Sequence, residues 1–329
     1  MSTKKGVKRK EPEEKKSPET RSGPKPETKK ARSETEAPSD AKRKMGNFWV
    51  LKGDISKPTV DIADPDGFIS RLFLQKVNSK KSNRWKLFVW VQKEDGSLSE
   101  DTLEEIRFAV PIHRINMVPK RFKSDSKAPY AFTIPLPNVD KADSWDAKAE
   151  FFFNTFRKAV AATLEGEGVL PQGYSSESFD DPKFYKGPVS SWSAGTDFKT
   201  RFEFHPGNGK PTYILADVTT DTGKPRIMSP EYLKQNEGIE AVCGLSNIYM
   251  MEVEDEEALQ APPGNQEGMG EATYTRVIVG STSHVIMAKR YNVAKTNELL
   301  GDEAEDTESN PVYEMQEKNK WSKLSFFQV

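Results

Sequence analysis

The sequence predicts a mainly β domain with one long amphipathic helix, set between a disordered basic N-terminal tail and an acidic C-terminal tail. Three observations predict it. Short apolar runs alternate with Gly, Pro, Asn and Asp across residues 46–295. One segment, Ser144 to Glu165, carries its apolar residues at helical spacing. The flanks are polar and oppositely charged, in a chain that is only 35% apolar with a mean hydropathy of -0.73, too polar to pack along its whole length.

The tail, residues 1–45, has 15 Lys and Arg against 8 Asp and Glu and lacks any apolar run with which to offset its ordering entropy. Its clusters Lys8-Arg9-Lys10, Lys29-Lys30-Ala31-Arg32 and Lys42-Arg43-Lys44 have the pattern of nuclear-import signals. A merely solubilising tail is the alternative. The expected strands of the core are Phe48–Leu51, Phe68–Gln75, Arg84–Gln92, Glu105–Ile112, Ala131–Leu136, Phe198–His205, Thr212–Thr219, Ala241–Glu252, Tyr274–Val279 and His284–Lys289. Asp64-Pro65-Asp66-Gly67, Pro206-Gly207-Asn208-Gly209 and Asp221-Thr222-Gly223-Lys224 read as turns. In the helix, Trp145, Ala149, Phe152, Phe153, Phe156, Val160 and Leu164 form one stripe, with Ser144 as N-cap and Gly166 and Gly168 as stop. That stripe is a packing face. The Pro- and Gly-rich stretch 169–196 is expected to be a surface loop dividing the core into lobes 46–170 and 197–295. Residues 252–271 hold seven acids and no base, an acidic loop, and residues 296–329 hold eight acids and three bases.

The composition excludes several functions. No apolar run is long enough for a membrane helix, and the lysine-rich start is no secretory signal. The single cysteine, Cys243, leaves no internal disulfide and no thiolate zinc site, and three scattered histidines leave little for a metal centre. Phosphate-loop, dinucleotide, zincin and nucleophile-elbow motifs are missing, so neither an enzyme nor a cofactor is expected.

The functional signal lies in strand Arg84–Gln92. Side chains alternate, so Trp85, Leu87, Val89 and Val91 share an apolar face while Arg84, Lys86, Phe88 and Trp90 share the other. Two cations followed by two flat rings suit a single-stranded nucleic acid: charge for phosphates, ring faces for bases. The alternative is a strand buried on both sides with its cations at the rim. Lys120, Arg121, Phe122 and Lys123 add a basic loop. In Phe198–His205, Lys199, Arg201 and His205 oppose Phe198, Phe202 and Phe204, and the last strand ends Lys289-Arg290-Tyr291.

Phe198–Phe204, Tyr213-Ile214-Leu215-Ala216-Asp217-Val218 with Thr222-Gly223-Lys224-Pro225, Glu240–Met251, and the strands holding Val277-Ile278-Val279 and Val285-Ile286-Met287-Ala288 together form a pattern. It resembles the oligonucleotide-binding-fold region of single-stranded DNA-binding proteins of phages and nucleocytoplasmic large DNA viruses. The resemblance implies an OB-fold-like barrel core, a role in DNA replication or recombination, and DNA rather than RNA as ligand. It also implies replication proteins as partners of the acidic tail. Two other functions fit the charge pattern: a viral capsid or nucleocapsid jelly roll with a basic genome-binding arm, and a nuclear acidic adaptor or chaperone. The basic clusters place the chain in a nucleus, the host's if viral.

Overall fold

The computed structural model describes residues 42–77, 83–116, 119–121, 128–192, 195–220, 222–254 and 275–301. The import-type clusters at 8–10 and 29–32, Phe122 and Lys123, residues 255–271 of the acidic loop and the tail from 302 lie outside them. In chain order the elements are β1 (Lys42–Met45), β2 (Phe48–Leu51), α1 (Pro65–Arg71), β3 (Leu72–Val77), β4 (Asn83–Gln92), β5 (Leu98–Arg114) and β6 (Lys120–Arg121). There follow β7 (Tyr130–Pro135), α2 (Trp145–Gly166), β8 (Tyr185–Lys186), β9 (Val189–Trp192), β10 (Gly195–Phe202), β11 (Ile214–Asp217) and β12 (Arg226–Ile227). β13 (Gly238–Glu254), β14 (Thr275–Tyr291) and α3 (Val293–Leu300) complete the chain.

Local chemistry explains where these elements begin. Ser144 caps α2, its Oγ accepting the Ala147 N–H at 3.1 Å, and Asp146 sits in the first turn. The expected strand Phe68–Gln75 is instead half helix. Asp64 accepts the Gly67 N–H and Pro65 occupies the first helical position, so the expected turn is the cap of α1 and β3 starts only at Leu72. The core also starts earlier than expected: Lys42, Arg43 and Lys44 form β1 and pair with Leu51, Val50 and Trp49 of β2. The stretch expected as a loop after α2 carries β8, β9 and a short 3-10 helix at Ser176–Asp180.

Two sheets carry the architecture. The larger runs β1-β2-β5-β4-β13-β14-β11-β12, with β3 on β4 and β8 on β14; the smaller runs β6-β7-β10-β9. β4 and β5 form a forked hairpin. Near its tip Phe88–Gln92 pair with β5; below, the strands part and lie end to end along β13. Asn83–Lys86 take Met250–Asn247, and Ile106–Arg114 take Leu245–Gly238. Since β13 also pairs with β14, both expected lobes share one sheet. Among the described residues the sheets do not close into a barrel: β1 and β12 are open ends, which corrects the expected barrel core. The sheet instead mixes antiparallel pairs with the parallel pairs β2–β5, β8–β14 and β11–β14.

The core lies between α2, the inner face of the large sheet and the small sheet crossing it. Phe152 stacks on Phe68 at 4.7 Å, Phe153 meets Phe108 at 5.6 Å, and Phe198 of β10 meets Phe153 at 5.7 Å. Each buried ring contributes about 1.5–3 kcal/mol of apolar transfer. Where β10 crosses β14, polar groups pair: Thr200 Oγ1 lies 3.1 Å from Ser283 Oγ, and the Tyr185 hydroxyl 2.9 Å from Ser281 Oγ. These small residues and Gly280 let β14 run unbroken where the sequence suggested two strands.

Candidate nucleic-acid interface

Trp85, Leu87 and Val89 enter the core, with at most 2% of their surface exposed. The other face of β4 divides along its length. At one end Arg84 is exposed and Lys86 half-buried. At the other, Phe88 is only 4% exposed, in a small second core with Val50 and Leu103. Trp90 is half-buried there, its ring 5.2 Å from Phe48 and 5.1 Å from Phe73. Phe88 is therefore packed inside this small core, and the Trp90 ring lies against Phe48 and Phe73.

Another ring stands beside those cations. Leu245 pairs with Ser283 and Ile248 with Ser281, so β13 holds one more residue than β14 in this interval: a β-bulge at Ser246-Asn247. The extra residue reverses the alternation. Before it Cys243 and Leu245 face the core; after it Ile248 and Met250 do, and Tyr249 turns onto the face of Arg84. Register then lines up Arg84, Tyr249, Gly280 and Lys186 across β4, β13, β14 and β8. Three strand spacings make this row about 14 Å long. The Tyr249 ring lies over Gly280, where a Cβ would overlap it. The row is a half-buried ring on a flat glycine floor with a cation at either end. Arg84 is held in place, its Nε donating to Asn247 Oδ1 at 2.9 Å.

The outer face of β10 adds charge. Lys199 lies near Asp197 and Lys186, and burial holds its amine below the ordinary lysine range. Arg201 pairs with Glu203 at 2.5 Å, and its charge also acts on Tyr249, whose phenol burial raises above its ordinary value. Thus Arg84 and Lys86 stand on the face of the row by register, and Lys199 and Arg201, expected from a separate segment, act electrostatically on its Lys186 and Tyr249. Lys120 of β6 pairs with Ala131 of β7, which pairs with Arg201, so backbone register brings it toward the same place; Arg121 pairs with Tyr130. Phe122 and Lys123 lie outside the described residues.

At the end of β14 the expected cations serve the fold. Lys289 and Tyr291 both reach Glu240, at 3.3 and 2.6 Å, and Arg290 bonds Asp217 and the buried Glu237. Lys42–Lys44 form an edge strand, with Lys44 Nζ 5.8 Å from the Trp49 ring centre. Cys243 is buried, its thiol pushed up to about 12 by burial. Among the described residues no cluster of three or more His, Cys, Asp or Glu is placed to hold a metal ion, and no helix is long and apolar enough to cross a membrane. Alternation counting missed Tyr249, Asn247 and Lys186. The trace of the bulge in the sequence is Leu245-Ser246-Asn247-Ile248, two apolar residues three apart inside a strand run.

No family model and no curated protein matches the chain. Among solved structures it is similar to a single-stranded DNA-binding protein from bacteriophage Enc34, a C-terminal truncation, at 9% identity and a TM-score of 0.30, over 67% of this chain and 95% of that one. A likeness of that extent transfers neither fold nor ligand.

Proposed function

We propose that this chain binds single-stranded nucleic acid, with little sequence preference, across the row from Arg84 to Lys186. The observation that carries the reading is the Tyr249 ring laid on Gly280 between two cations, with Lys86, Lys199 and Arg201 around it. A ring face takes any base, and flanking cations take the phosphates on either side. DNA as ligand, a role in replication or recombination, and replication proteins docking on the acidic tail belong to the same proposal and are supported by the sequence resemblance. Nuclear residence is supported by the basic clusters at 8–10, 29–32 and 42–44, the last exposed on β1. The proposal includes no catalytic step.

Fluorescence-anisotropy titration of the full chain with labelled single strands and duplexes tests it. The single strand is expected to bind more tightly than the duplex, and Tyr249→Ala to weaken it by about 5- to 150-fold, the value of one stacked base. Tyr249→Phe keeps the ring and is expected to keep the affinity. Equal binding by wild type and Tyr249→Ala would refute the reading, and the comparison cancels any attraction from the basic tail.

A further inference from the structure

A second ring lies on a second glycine of the same ladder. His284 of β14 pairs with Gly244 of β13, as Tyr249 pairs with Gly280. The two pairs mirror each other: Tyr249 reaches from β13 onto β14, and His284 reaches from β14 onto β13, where a Cβ on Gly244 would meet the imidazole at 2.8 Å. Both rings are half-buried on the outer face, since their strand neighbours Cys243, Ile248, Val279 and Val285 enter the core. Gly280 and His284 are four apart on β14, about 14 Å. The charge of Arg201 acts on Tyr249 and on His284 alike. Lys199, two residues earlier on β10, feels the charge of Lys186 at the end of the row.

Hydrogen bonding within the fold does not account for a histidine at this place. Its Nδ1 is enclosed and has no partner among the described residues. Arg107, across Gly244 by register, is covered and tied elsewhere, its Nε donating to the Lys57 carbonyl at 3.0 Å. Burial holds the imidazole below its ordinary pKa; Glu203 and Glu105 oppose that shift and Arg201 adds to it. The ring is therefore neutral at neutral pH and offers a face, not a charge. We propose that His284 is a second base position of the interface: a strand leaving the row at Lys186 sets its phosphates along Lys199 and Arg201 and stacks a further base on His284. The inference rests on the single-strand reading above. A polynucleotide alternates base and phosphate, and two rings with a pair of cations between them match that alternation.

Anisotropy titration of the full chain with oligo-dT of about 3 and about 12 nucleotides tests it, only the longer strand spanning both rings. His284→Ala is expected to weaken the longer strand about 5- to 150-fold, the value of one stacked base, and to leave the shorter within about twofold. His284→Phe keeps the ring and should keep both affinities, whereas Tyr249→Ala should weaken both strands. Circular dichroism confirms that each variant folds. NMR of the histidine Cε1–H groups reads the contact in the wild type itself. Of the signals from three histidines, the one missing in His284→Phe should move upfield as the longer strand is added, as stacking under a base requires. Unchanged binding of the longer strand by His284→Ala, or an equal loss at both lengths, overturns this inference. So does a His284 signal that stays in place or moves downfield, the direction of protonation. Weakened binding by Tyr249→Ala then leaves the single-strand reading standing. Failure of wild type to bind either strand overturns both.

Discussion

The charge arrangement around Tyr249 fixes how binding must respond to salt. Each phosphate held by Lys or Arg releases counterions, and log K falls against log salt with a slope of about -0.7 per contact on a single strand. Arg84, Lys86 and Lys186 on the large sheet, with Lys199 and Arg201 from β10, are the cations around the row. Arg201 is tied to Glu203 and Lys199 lies by Asp197, so three to five contacts form. The slope from this face is then about -2 to -3.5, a loss of about 20- to 130-fold in affinity between about 50 and 200 mM salt. The sharper quantity is a difference. Arg84→Gln with Lys186→Gln removes both ends of the row and should make the slope shallower by about 1.4. Lys158→Gln, on the exposed side of α2, should not change it. The basic tail adds to every absolute slope and drops out of the difference. Anisotropy titrations at four or more salt concentrations, for wild type and both variants, give the slopes. Parallel lines for wild type and the double variant would refute the placement of the interface.

Two further outcomes concern the fold beneath the site. Removing Arg290 leaves the Glu237 carboxylate, whose side chain is 2% exposed, without its cation. Arg290→Ala should cost about 3–5 kcal/mol, or about 6–20 °C in melting temperature, read by thermal and denaturant unfolding. Burial would raise the Asp217 pKa, but bonds from Thr219 and Arg290 outweigh it and hold the carboxylate below its ordinary 3.8. A depressed folded pKa stabilises above the unfolded value and is lost as pH falls through the folded one. The gap between wild type and variant should therefore narrow below about pH 4; a gap that widens there would contradict the assignment. Phe88→Ala, in the small second core, should cost about 3–5 kcal/mol in stability and leave the affinity of the folded protein within about twofold of wild type. Unchanged stability with a large loss of binding would return Phe88 to the interface.

Elements that depend on local chemistry were legible in the sequence. The α2 stripe and its Ser144 cap need only helical spacing and one hydroxyl, and the apolar side of β4 needs only alternation. What was not legible depends on partners far along the chain. Phe88 and Trp90 look the same in sequence whether they face a base or Phe48 and Phe73, which lie in strands that only folding brings together. Pro65 reads as a turn residue in the sequence because α1 has only seven residues, too few to show a period. The cations at Arg84, Lys86, Lys199 and Arg201 were recognisable as a type; their convergence on one row required the registers of β13 and β14.

The fork between β4 and β5 has a mechanical consequence. Below the fork β13 is flanked on both sides, by β14 on one edge and by β5 and then β4 on the other, so opening there breaks two ladders at once. Above it, the hairpin tip, β1 and β2 form a limb with its own small core, joined to the rest through β3, β4 and β5. Such a limb is the natural unit of sub-global opening, with amides that exchange hydrogen sooner than those of the β13 spine. Arg84 and Lys86 lie at its root, on the stiff side, so the limb can bend without spreading the charges that hold the ligand.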